Sequence, residues 1–153
     1  MPNYPTVKFY SKFFKEQNKN IGKPKLIYQG TVSEGHGLEQ ICFLIKNMNC
    51  ELQVVGRIDY EYKTKLTQLC DNENLIFHGQ ISYNNLPFIT SNCNIGLAIN
   101  VANNVIYKTG DTASNKIYEY AAFGLPILYF DNEHYRKYLD KYEWAFATDL
   151  SEE

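Results

Sequence analysis

The chain has 153 residues, enough for one domain with a real hydrophobic core. Its net charge of -2 and pI of about 5.9 exclude a global pull toward nucleic acid or anionic membrane. Its apolar runs are of strand length, and Met1-Pro2-Asn3-Tyr4-Pro5 lacks the charged and apolar regions of a secretory leader, so neither a membrane span nor a leader is expected.

Residues 1–24 are polar and flanked by Pro5 and Pro24, which reads as a loosely packed linker leading into the domain. From Lys25 strand and helix patterns alternate. Leu26-Ile27-Tyr28 is strand-like and ends at Gln29-Gly30. Leu38, Ile41, Ile45 and Met48 then recur at helical spacing. Leu52–Val55 forms a second strand, closed by Gly56-Arg57, and Tyr62, Leu66, Leu69 and Cys70 mark the next helix. Leu75-Ile76-Phe77 is a third strand, closed by His78-Gly79. A short helix near Asn84–Ser91 tolerates Pro87 only in its first turn, and Ile95–Ile99 is a fourth strand. A last helix near Glu133–Tyr142 carries Tyr135, Tyr138, Leu139 and Tyr142, and Trp144-Ala145-Phe146 predicts a sixth, edge strand. Cys42, Cys50, Cys70 and Cys93 form no Cys-x-x-Cys pair, and His36, His78 and His134 are scattered. That pattern predicts reduced thiols in a cytoplasmic protein and no metal centre.

The most informative stretch is Gly110 to Phe130. Asp111, Thr112 and Ser114 are good helix N-caps, and Ala121 and Ala122 are strong helix formers. Gly124 suits the left-handed residue past a helix end, Pro126 stops the helix, and Ile127–Phe130 reads as a buried strand. Asn115, Lys116 and Glu119 share one face near the helix N-terminus. Free N–H groups and the cation of Lys116 suit an anion there, and Glu119 offers an acceptor for hydroxyls one turn deeper. Together they match a phosphate next to a sugar. Taken alone, the same residues are better described as a capped surface helix with a Lys–Glu pair.

The alternation argues an α/β fold, a parallel sheet with helices on both faces. Ligands then bind beyond the carboxyl ends of the strands, at Gln29–Gly37, Gly56–Tyr60, Gly79–Tyr83, Asn100–Ala113 and Asp131–Asn132. The first of these loops precedes a helix and could cradle phosphate with its N–H groups. It is not Gly-x-Gly-x-x-Gly, and the chain holds no Gly-Lys-Ser/Thr, which disfavours dinucleotide and ATP-hydrolysing loops. A first strand ending in Gln29-Gly30 rather than an acidic pair disfavours a signalling receiver domain.

The chain resembles the C-terminal domain of a GT-B-fold glycosyltransferase, of the large retaining group known as glycosyltransferase family 4 or group 1. The resemblance rests on Pro2-Asn3-Tyr4-Pro5, Tyr28-Gln29-Gly30, Val54-Val55-Gly56, Ile76-Phe77-His78-Gly79-Gln80-Ile81 and, above all, Ser114–Pro126. It implies a Rossmann-like domain over residues 25–153 that binds a nucleotide diphosphate sugar, a UDP- or GDP-sugar, with no cofactor. It also implies a separate N-terminal domain for a glycan or lipid-linked acceptor, and further helices beyond Glu153. A peripheral position at the inner membrane face is an option the resemblance leaves open for the parent enzyme. By the same resemblance, Asp111 contacts the donor sugar, in the Glu-x7-Glu motif that Glu119 completes at the ribose. Backbone around Thr112, Ser114 and Asn115 faces the diphosphate, Ile81 lines the base pocket, and Gly30 leaves room for phosphates and sugar.

Two departures stand out. Asp111 replaces the motif's first Glu, and Thr31 and His36 stand where many members carry diphosphate-binding Arg and Lys. Arg57 or Lys116 would compensate; Arg57 reads equally as a solvated turn arginine, and His36 either binds phosphate or caps the loop. A non-catalytic nucleotide-binding module is the first alternative. A sugar-nucleotide epimerase on the same scaffold ranks lower, for want of a matching carboxylate and His set.

Overall fold

The computed structural model describes residues 7–13, 22–70, 73–101 and 115–151. Within them one sheet contains β1 (Lys25–Gln29), β2 (Glu51–Val55), β3 (Leu75–Gly79), β4 (Ile95–Ala98), β5 (Ile127–Phe130) and β6 (Ala145–Thr148). Every neighbouring pair is parallel, in the order β3-β2-β1-β4-β5-β6. Parallel neighbours cannot be joined by a tight turn, so helices carry the crossovers. These are α2 (Leu38–Lys46), α3 (Tyr60–Leu69), α4 (Leu86–Thr90), α5 (Asn115–Ala122) and α6 (Glu133–Leu139), preceded by a single turn, α1 (Val7–Tyr10). Among the described residues no helix is long and apolar enough to cross a membrane.

Strand alternation splits the core in two. Leu26, Tyr28, Leu52, Val54 and Leu97 face α2 and α3, meeting Leu38, Ile41, Ile45 and Leu66. Ile27, Val55, Ala98, Ile127 and Tyr129 face the other way and pack with Ile117 and Tyr120 of α5 and Tyr135 and Leu139 of α6. Asp59 and Asn132 cap α3 and α6, accepting from the N–H groups of Tyr62 at 2.7 Å and Tyr135 at 2.8 Å. α5 ends as its sequence predicts. Leu125 N–H donates to the Tyr120 carbonyl and Gly124 N–H to that of Ala121, both at 3.0 Å, with Gly124 left-handed at φ 68. All four cysteines are buried thiols, and burial pushes those of Cys42 and Cys93 up to about 12, which leaves them unreactive.

Three expectations are corrected. α2 and α6 stop short of Met48 and Tyr142, because turns at Asn47 and Asp140 close them first. Met48 is exposed, and Tyr142 stacks on Trp144 with ring centroids 4.6 Å apart. The segment before β1 does not pack loosely where it is described. Tyr10 is buried, its ring edge-on to Phe123 at 4.9 Å and its hydroxyl 2.8 Å from that of Tyr83. Phe9 stacks on Tyr83 and Phe13 meets Phe88.

Gly96 in β4 lies directly under α5. A Cβ there would fall 2.3 Å from the ring of Tyr120. That ring cannot retreat, since its hydroxyl accepts from Gln29 N–H at 3.0 Å and donates to the Ile27 carbonyl at 3.1 Å. Gly96→Ala is expected to destabilise the fold by about 1–3 kcal/mol, read as a lowered urea midpoint.

Candidate functional site

The chain runs from β1 outward through β2 to β3, then crosses back to β4 on the other side of β1. In sheets of this order the crevice at that reversal, beyond the carboxyl ends of the strands, is where ligands sit. A cavity of about 470 Å³ occupies this place. Gln29, Gly30 and Thr31 supply its wall from the end of β1, and Val55, Gly56 and Arg57 from the end of β2. Gln80, Ile81 and Leu86 close it from the β3–α4 side, and Asn115, Lys116 and Glu119 from α5.

Backbone hydrogen bonds tie three strand exits into one rim. Gly30 N–H donates to the Val55 carbonyl at 2.9 Å, Gly56 N–H to that of Gly79 at 2.9 Å, and Val32 N–H to that of Arg57 at 3.2 Å. The rim is therefore a stitched edge rather than three independent loops.

Lys116 reaches back from α5 over this rim. Its Nζ lies 4.1 Å from the centroid of the Tyr28 ring, and a Cβ on Gly30 would stand 3.6 Å from it. The ring face favours a cation there. Burial works against it and pulls the ammonium down to about 8. One turn deeper, burial pushes the Glu119 carboxyl up to about 7. Its Oε2 accepts from Gln29 Nε2. Ile81, Leu86 and Val55 add apolar wall. The cavity thus offers a cation and the amino end of α5 on one side, a carboxylate deeper in, and an apolar side.

Gly30, Thr31, Arg57, Ile81, Asn115, Lys116 and Glu119 are brought together on this cavity from four separate stretches of chain. His36 is not on its wall. The imidazole Nδ1 lies 2.8 Å from the Thr31 carbonyl oxygen and 3.0 Å from the Tyr28 hydroxyl. A carbonyl only accepts, so Nδ1 carries a proton and ties the loop to itself. Asp111, Thr112 and Ser114 lie outside the described residues. Two participants escaped the sequence reading: Tyr28, the platform under Lys116, and the side chain of Gln29. The alternation of β1 places Tyr28 on the opposite face from Gln29, and nothing local signals that a lysine from α5 bends over it.

No protein-family profile and no curated protein matches the chain by sequence. Solved structures match it in fold. AviGT4, a glycosyltransferase of avilamycin A biosynthesis, superposes with a TM-score of 0.65 at 16% identity, over 90% of this chain and 40% of that one. HepE of Anabaena, solved in complex with UDP and glucose, gives 0.64 at 14% identity, over 95% and 41%. WaaG, a glycosyltransferase of lipopolysaccharide biosynthesis, gives 0.61 at 18% identity, over 94% and 37%. The chain spans about two fifths of the length of these structures. It has the Rossmann-like fold of one half of a GT-B glycosyltransferase, as the motifs implied. At such identities the likeness concerns fold, and function has to be argued from the cavity.

Proposed function

We propose that this chain is the donor-binding domain of a retaining glycosyltransferase, which moves a hexose from a UDP- or GDP-sugar to a glycan or lipid-linked acceptor. One observation carries the reading: Lys116 and Glu119, one turn apart on α5, open onto the same cavity as the glycine-tipped ends of β1 and β2. The ammonium and the amino end of α5 suit a diphosphate. The carboxylate one turn deeper suits the hydroxyls of a ribose, and the Ile81 side suits a flat base. A fold neighbour solved with UDP adds support. In the parent enzyme the bond between the sugar C1 and the diphosphate breaks as C1 bonds to an acceptor hydroxyl oxygen, the hydroxyl proton passes to the departing diphosphate, and the negative charge developing there is stabilised by Lys116, Arg57 and the amino end of α5. Asp111 contacts the donor sugar in this reading, and the acceptor belongs to the other domain.

Titration calorimetry of the chain with UDP and GDP tests the reading. Binding of at least one at millimolar concentration or tighter is expected; an intact fold that binds neither overturns it.

The two perturbed groups predict how affinity depends on pH. Glu119 is raised, so it is mostly protonated below about pH 7 and accepts hydroxyl protons poorly there. Lys116 is lowered, so its charge is lost above about pH 8. Affinity therefore climbs as Glu119 ionises and falls again as Lys116 discharges, a bell with its top between the two. The nucleotide's terminal phosphate adds its own slope on the acid side. Glu119→Gln is expected to remove the part of the acid limb that this phosphate does not explain. An acid limb identical in both proteins rejects the ribose role of Glu119.

Binding without transfer is favoured by one observation: His36, at one of the two loop positions that usually carry a diphosphate cation, lies off the cavity wall with its Nδ1 bonded to the Thr31 carbonyl. A parent protein that binds UDP-glucose yet neither transfers nor hydrolyses it, with varied acceptors, would establish that reading.

A further inference from the structure

Gln29 ends β1 on the face that meets α4 and α5, and it is buried at 4% exposure. A buried amide is costly unless both its ends are matched. Here both are. Nε2 donates to Glu119 Oε2. Oε1 lies 3.4 Å from the hydroxyl of Thr90, which shares its proton with the Leu86 carbonyl at 3.1 Å. The backbone of the same residue is anchored as well, its N–H donating to the Tyr120 hydroxyl at 3.0 Å. The Thr90 hydroxyl meets the oxygen end of the amide, which turns the NH₂ end to Glu119, the arrangement that an ionised carboxylate accepts. Among the described residues Gln29 is the donor to this carboxylate. It takes one of the two oxygens, Oε2.

We infer that Gln29 is a positioning residue for a ribose: locked between Thr90 and Glu119, its amide holds the carboxylate in the orientation that accepts from a vicinal diol, and so sets a preference for ribose over a sugar lacking those hydroxyls. The inference rests on the donor-binding reading above. Gln29 touches no ligand atom in this role; it acts through Glu119. Alternation along β1 supplies the reason for its place, since Ile27 and Gln29 share the face covered by α5.

The test compares UDP and GDP with their 2′,3′-dideoxy counterparts by calorimetry, in the wild type and in Gln29→Met, which keeps the length and apolar stem but has no donor. The wild type is expected to prefer the ribonucleotide by about tenfold or more, the scale of a hydrogen bond to a charged group. Gln29→Met is expected to lower ribonucleotide affinity by about fivefold to tenfold, while dideoxynucleotide affinity stays within about twofold. In Glu119→Ala the added Gln29→Met change is expected to have no further effect, because the two act as one unit. Thr90→Val frees only the far end of the amide, so a smaller loss of the same kind is expected. A general loosening of the fold would weaken both ligands alike, and that result overturns the inference. So does a Gln29→Met protein that keeps the wild-type preference. A wild type that binds neither nucleotide overturns the donor-binding reading itself, and this inference with it.

Discussion

A Gly56→Ala protein is expected to lose about 3 kcal/mol or more of unfolding free energy, and its nucleotide affinity with it. Two effects add. Gly56 sits at φ 146, where a side chain is strained whatever the space around it. A Cβ there would also fall 1.8 Å from the Gly30 carbonyl oxygen. That atom is backbone, so no rotamer change relieves the clash. The only escape is to push the ends of β1 and β2 apart, which breaks the Gly30-to-Val55 and Val32-to-Arg57 bonds that stitch the rim. Urea unfolding gives the stability loss and calorimetry the affinity. A midpoint shift as small as that of an ordinary surface substitution, under about 0.5 kcal/mol, would contradict the close approach.

Lys116→Met is expected to separate stability from binding. The lysine is a half-buried ammonium over a ring, and among the described residues no carboxylate pairs with it. Burial already pulls its proton off more easily than in water. Removing such a charge for an apolar chain of similar length leaves stability unchanged or raises it. The same change should weaken UDP or GDP by about tenfold to a hundredfold, the range for one hydrogen bond to a charged group. It should leave the bare nucleoside nearly untouched, because Lys116 faces the phosphates in this account. Equal losses for nucleotide and nucleoside would move Lys116 away from the diphosphate. The alkaline limb of the pH profile should vanish in the same variant.

Much of the architecture was readable because each element carries its own signal. Ile41 and Ile45 repeat at helical spacing, and Leu26-Ile27-Tyr28 runs apolar through both faces of a covered strand. Gly124 and Pro126 end α5 through backbone conformation alone, which a short window reveals. The rim residues were readable for a different reason. Glycines at strand ends and the face shared by Asn115, Lys116 and Glu119 are local features, and the rule that ligands gather at one edge of a parallel sheet brings them together.

What escaped depends on contacts distant in the chain. Tyr10 is buried by Tyr83 and Phe123, 73 residues away in the case of Tyr83, and no pattern within residues 1–24 announces those partners. Gln29 looks like a polar residue closing a strand; its burial follows from Thr90 and Glu119, 61 and 90 residues away. His36 sits in a loop that could present it either way, and only the folded loop turns its Nδ1 to Thr31. Met48 and Tyr142 continue a helical spacing beyond the residues that cap the helices, so spacing alone overextends α2 and α6.

A crystal structure of the chain soaked with UDP-glucose or a GDP-sugar tests the central claim most directly. The account predicts the diphosphate against Lys116 Nζ at the amino end of α5, with the ribose hydroxyls in hydrogen-bond contact with the Glu119 carboxylate. A nucleotide bound away from this cavity, or one whose ribose stands more than about 4 Å from Glu119, contradicts it.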